Sequence, residues 1–141
     1  MSASPRRPSV ATVFNPPGLI DPTRFHFSQV AAVEPGARMI FLAGQGGFAA
    51  DGTLSSDFDQ QARQVFQNIA IALGSADAGV DDIVRLTVFI VGYDQEHMKA
   101  YHAAQREALG EHRPAATLIP TAQLAAPGML IEIEATAAAR A

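Results

Sequence analysis

Apolar residues recur along this chain at two spacings, and each spacing predicts a different element. Phe58, Ala62, Val65, Phe66, Ile69, Ala72 and Leu73 return every three or four positions, which is one face of an α-helix. Ser56, with Asp59 three residues on, is placed to cap its start, and the stretch from Gly74 to Gly79 ends it. A second helix is predicted from Asp94, as its cap, to about Leu109, with Met98, Tyr101, Gln105, Ala108 and Leu109 on the core face and Gly110 as the stop. Shorter apolar runs predict strands at Val10 to Phe14, Ser28 to Val33, Arg38 to Ala43, Ile83 to Val91, Thr117 to Ala122 and Met129 to Ala137. The fourth, rich in β-branched residues, reads as central. Pro16-Pro17-Gly18 breaks the first strand, and Glu34-Pro35-Gly36 is a turn suited to an antiparallel hairpin between the second and third. Ala125-Ala126-Pro127-Gly128 joins the last two.

Three short strands, a helix, a strand, a helix and two strands make an α+β order, and the economical packing sets both helices on one face of a mostly antiparallel or mixed sheet. The other face of so small a sheet needs cover, which self-association would supply. The last strand carries both environments. Ile131, Ile133 and Ala135 point one way, and Glu132, Glu134 and Thr136 the other. For Glu134 the expected surrounding is solvent.

Composition bounds the domain count and the partners. With 141 residues, 48% hydrophobic and 17% charged, the chain is expected to form one domain over residues 10–141, preceded by a flexible arm at 1–9. The arm holds an arginine pair, but the apolar stretch after it is too short for a signal peptide. A net charge of −4, one lysine (Lys99) and scattered arginines leave no basic stripe for nucleic acid. No apolar run approaches the ~20 residues of a membrane span, so no membrane partner is expected. Cysteine is absent, which excludes disulfides and thiolate chemistry and fits a cytoplasmic location.

Several motifs that carry chemistry elsewhere fail here on spacing. His97 and His102 are five apart on a predicted helix and do not share a face, so no metal is expected. Ser28 lacks the signature of an activated nucleophile and reads as a strand or cap residue. Gly44-Gln45-Gly46-Gly47 lacks the lysine and Ser/Thr of a phosphate loop and reads as a tight turn.

Six blocks, in order from about Asn15 to Ala138, resemble the RidA/YjgF family: Phe27-Ser28-Gln29 with Val30-Ala31; Phe41-Leu42-Ala43-Gly44-Gln45; Gln67-Asn68-Ile69; Val84-Arg85-Leu86-Thr87-Val88-Phe89; Arg113-Pro114-Ala115; and Ile131-Glu132-Ile133-Glu134-Ala135. The resemblance implies a chorismate-mutase-like α+β fold and a homotrimer with three clefts between subunits. In well-characterised members those clefts hydrolyse reactive enamines and imines to ketone and ammonia, without metal or organic cofactor. It assigns water handling to Glu132, and a cleft of low solvent exposure would raise that carboxylate's pKa toward general-base range. It places Phe27 in the aromatic wall, where members often have tyrosine, and gives the backbone of Thr117 to Ile119 polar contacts with the ligand.

The departure from the family pattern is Ala116. The imine-hydrolysing members carry an arginine there that grips the substrate carboxylate in a two-pronged contact. Each lost hydrogen bond to a charged group is worth roughly 1.5–3 kcal/mol, so a substrate relying on that grip should bind poorly. Arg113, at an odd offset, is expected at the rim or surface. Arg24 and His26 precede Phe27, and two roles stay open for His26: donor to an anion or acid in the cleft, or loop histidine bonded to backbone.

Three functional readings follow. The first is a cofactor-free hydrolase or deaminase of a small imine, enamine or related metabolite, with Glu132 handling water and Phe27, Ala116 and Leu118 shaping the pocket. The second is a non-catalytic trimer that binds a small metabolite or a partner. The third, a ribonuclease activity, stands behind both because the charge balance is acidic.

Overall fold

The structure is a computed structural model that describes residues 8–141. The arm expected at residues 1–9 therefore lies, up to residue 7, outside the described residues. Among the described residues the strands are β1 (Ala11–Phe14), β2 (Val30–Val33), β3 (Arg38–Phe41), β4 (Gln45–Gly46), β5 (Ile83–Val91), β6 (Ala115–Thr121) and β7 (Ile131–Ala139), and the α-helices are α1 (Phe58–Ser75) and α2 (Gln95–Leu109).

Alternation along the two longest strands builds the core. Ile83, Leu86, Val88 and Ile90 of β5 and Ile131, Ile133, Ala135 and Ala137 of β7 are buried against α1 and α2, which supply Ala62, Val65, Phe66, Ile69, Leu73, Tyr101, Ala104 and Leu109. Both helices thus lie on one face of the sheet, as the apolar periodicities require. The sheet runs β3-β7-β5-β6, with β4 also on β7. β7 is antiparallel to β3, β4 and β5, whereas β6 is parallel to β5. The sheet is mixed because α2 returns the chain to the starting end of β5 before β6 begins, the crossover that parallel neighbours need.

Two local expectations are corrected. β2 and β3 do not form a hairpin pair; β2 pairs antiparallel with β1, and β3 with β7. The Glu34 turn forms, with the Ala37 N–H donating to the Glu34 carbonyl, but its two arms enter different sheets. The β1–β2 ribbon is held by a second cluster of Val10, Val84 and Ala138. Val84 reaches it because a bulge between Ile83 and Arg85 in the β5–β7 register gives β5 an extra residue. The second correction is the cap of α1. Asp57, not Ser56, accepts from the Gln60 N–H at 3.0 Å. Asp94 caps α2 as expected, accepting from the His97 N–H at 2.8 Å.

Candidate functional site

Register decides where the candidate residues point. In the parallel β5–β6 pair Leu86 lies beside Ala116 and Val88 beside Leu118, which puts Ala116 and Leu118 on the helix face of the sheet. In the β5–β7 pair Phe89 lies opposite Glu132 and Thr87 opposite Glu134. Val88 and Phe89 are consecutive on a strand and point to opposite faces. Glu132 therefore stands on the face away from the helices, half-buried, and Glu134 is exposed there.

A cavity of about 340 Å³ opens where α2 leans over β6, and Phe27, Ala116, Thr117 and Leu118 all line it. The loop before β2 is fixed there by three bonds. The Ser28 N–H donates to the Pro114 carbonyl at 3.1 Å, the Ser28 hydroxyl to the Arg113 carbonyl at 2.6 Å, and the buried Gln105 side chain to the His26 carbonyl at 2.7 Å. These bonds dock Phe27 beside the start of β6. β6 is the edge strand of the sheet, and beyond the Ser28–Ala115 bridge its outer side has no strand partner among the described residues.

His26 sits behind this wall. Its backbone is left-handed, with φ 61°, its carbonyl takes the Gln105 bond, and its ring meets His102 edge-on with centroids 5.2 Å apart. Burial first, then Arg106 and Arg113, hold its pKa below the ordinary histidine value. Arg113 is partly exposed and paired with Glu111 at 3.6 Å.

Glu132 lies in a different depression, of about 630 Å³, with Gly44, Gln45, Asn68 and Met129 in its walls. β4 is stitched to β7 at Glu132 and Ile133, and Asn68 donates to the Gly46 and Phe48 carbonyls at 3.0 and 2.9 Å. The glycine run serves close approach. A Cβ on Gly44 would fall 2.9 Å from Cδ of Glu132, and one on Gly47 would fall 2.8 Å from Cα of Gln61 on α1. Within one chain, then, Glu132 and the Phe27–Ala116–Leu118 group occupy opposite faces and separate hollows.

Tyr101 and Gln105, expected in the core, and His102, weighed only as a metal ligand and set aside on spacing, line the cavity beside Ala116 together with Tyr93, which no motif marks. Two polar side chains on the apolar stripe of α2 were the available signal. Burial raises the Tyr101 phenol and lowers His102, and the neighbouring His26 lowers His102 further.

A five-stranded mixed sheet under two helices, with an aromatic hollow at its β6 edge and a glutamate on its open face, defines a small α+β domain of the Rid type. The model of the family described as Endoribonuclease L-PSP matches residues 21–139. Protein HMF1 of Saccharomyces cerevisiae is 30% identical over 103 residues, 72% of this chain and 78% of that one. The RutC family protein YjgH of Escherichia coli is 41% identical over 59 residues, 42% of this chain and 44% of that one. Among solved structures, the conserved Rid family protein YyfB of Yersinia pestis superposes with a TM-score of 0.84 at 32% identity, over 92% of this chain and 98% of that one. The chain belongs to the RidA/YjgF family.

Proposed function

We propose that the protein is a cofactor-free hydrolase or deaminase of a small reactive imine, enamine or related metabolite, working in a cleft between subunits of a homotrimer. Its specificity differs from that of the arginine-bearing members because Ala116 stands where their carboxylate-binding arginine would be. The observation that carries this reading is the lining of the Ala116 cavity, which among the described residues includes no lysine, arginine, aspartate or glutamate. A substrate carboxylate placed there would lose its water without gaining an ion pair.

Assembly enters the proposal for a geometric reason. Glu132 and Ala116 face opposite ways on one sheet, so a cleft that uses both takes Glu132 from one subunit and the aromatic hollow from the next. Exposed Phe41, at 75%, and Ile119, at 39%, on the Glu132 face supply apolar area for such a contact. In the joined cleft the Glu132 carboxylate takes a proton from a water as that water adds to the C=N carbon and hands it to the nitrogen, giving the carbinolamine; the carboxylate then takes the hydroxyl proton and returns it to the nitrogen as the C–N bond breaks, releasing ammonia and the carbonyl product.

The test is ammonia release from imines generated in place by an amine or amino-acid oxidase, with wild type, Glu132→Ala and Ala116→Arg. The expected result is acceleration on imines without a carboxylate, lost by at least ~100-fold in Glu132→Ala, with Ala116→Arg shifting preference toward carboxylate-bearing imines. A folded protein that accelerates none of them, in any variant, refutes hydrolysis and leaves the ligand-binding reading.

A further inference from the structure

The cavity beside Ala116 holds polar groups that hydrolysis by Glu132 does not use. Tyr101 is 3% exposed overall, yet its hydroxyl has no hydrogen-bond partner among the described residues and is not sealed from the hollow it lines. A phenol oxygen that reaches an open hollow and has no protein partner can donate to whatever fills that hollow. Gln105, 2% exposed, spends its amide N–H on the His26 carbonyl, while its side-chain oxygen accepts nothing among the described residues. The hollow thus presents one free hydroxyl and one free acceptor, both on α2 and four residues apart, on the same helix face.

Apart from Thr117 and His102, the rest of the lining is apolar or aromatic. Phe25, Phe27, Tyr93 and Met98 line the hollow from the loops and α2, and Val88 and Leu118 from the sheet. Ring faces and a thioether favour a flat aromatic body. His102, the remaining titratable wall residue, is held toward its neutral form by burial and by His26. No lysine or arginine is among the described lining residues, although the Arg24 guanidinium lies 4.7 Å over the ring of the wall residue Phe25, and the ~340 Å³ available sits at the small end of ligand pockets, enough for one ring with a short side chain.

We infer that this cavity is a subsite for an uncharged aryl ketone, aldehyde or imine, whose C=O or C=N accepts from the Tyr101 hydroxyl while its ring packs between Phe27 and Met98. The inference rests on the reading that the cavity is one half of the proposed cleft, and it assigns the recognition that Ala116 gives up to Tyr101.

Calorimetric titration of the full chain tests it with three probes of matched shape: acetophenone, ethylbenzene, which lacks the acceptor, and phenylglyoxylate, which adds a carboxylate. Acetophenone is expected to bind about tenfold more tightly than either of the others. Tyr101→Phe should erase the difference between ketone and hydrocarbon, and Ala116→Phe, at the edge strand, should abolish binding of all three by filling the hollow. The Ala116 variant keeps the test decisive should Tyr101→Phe fold poorly. Phenylglyoxylate binding as tightly as acetophenone, a ketone preference that survives Tyr101→Phe, or no saturable binding of acetophenone would each overturn the inference. Hydrolysis of small imines without acetophenone binding overturns this inference alone; acetophenone binding without any hydrolysis overturns the proposed reaction alone.

Discussion

Replacing Gln61 by leucine should destabilise the protein far more than its place on an apolar helix stripe suggests. Gln61 is fully buried. Its amide nitrogen donates to the Ser55 carbonyl at 2.7 Å and the Gly128 carbonyl at 2.8 Å, and its oxygen accepts from the Leu130 N–H at 2.9 Å. The side chain thereby clamps α1 to the segment that enters β7, two residues before Glu132. Leucine has nearly the same size but no polar atom, so one amide hydrogen and two carbonyls lose these partners in a part-buried place, against a side chain that is itself fully buried. The orphaned N–H costs about 1–3 kcal/mol and each carbonyl roughly 1, against about 1 kcal/mol gained from the apolar side chain. The net expected loss is about 3 kcal/mol, or a fall in Tm of roughly 10 °C for a chain of this size. Urea unfolding at fixed protein concentration, followed by far-ultraviolet circular dichroism, measures it. A loss below ~1 kcal/mol would show that the Gly128–Leu130 segment does not depend on this clamp and would refute the argument.

Two other outcomes are expected. Asp57→Ala should cost about 1 kcal/mol in the same unfolding assay, because Asp57 caps α1, whereas Ser56→Ala should stay within ~0.5 kcal/mol; equal losses would contradict the observed cap. Stability should also fall as pH drops below the ordinary histidine value of 6.5. Burial and then His26 depress His102 in the folded chain, so in the window between its folded pKa and 6.5 the unfolded chain binds more protons. The contribution is complete above that window and lost as pH falls through it. Urea midpoints at pH 7.5, 6.5 and 5.5 (each about one unit apart) should therefore decline, less steeply in His102→Gln, with His26 supplying the slope that remains; an unchanged slope in the variant would refute the assignment.

The parts of this fold that were legible beforehand are those encoded in nearest neighbours along the chain. Phe58 to Leu73 repeats at helical spacing and Ile131 to Ala135 alternates, so α1, the direction of its core face and the outward turn of Glu132 and Glu134 all follow from local sequence. Local spacing also located α2, but it could not separate the two meanings of a polar residue on an apolar stripe. Gln61 is buried as a structural clamp, Gln105 holds the His26 loop, and Tyr101 opens onto a cavity. What distinguishes them is which backbone lies opposite, and that backbone is distant in the chain.

Spacing over a few residues set the α+β order, both helices and the alternation of faces along β7; it did not carry β5, where the bulge between Ile83 and Arg85 turns Ile83 and Leu86 into the same core. The pairings came from long-range packing: β2 on β1 rather than β3, β6 parallel to β5, and Glu132 and Ala116 in separate hollows on opposite faces. Strand pairing is set by which distant edges bury the most apolar surface together, a quantity summed over the whole chain and written in no single segment of it.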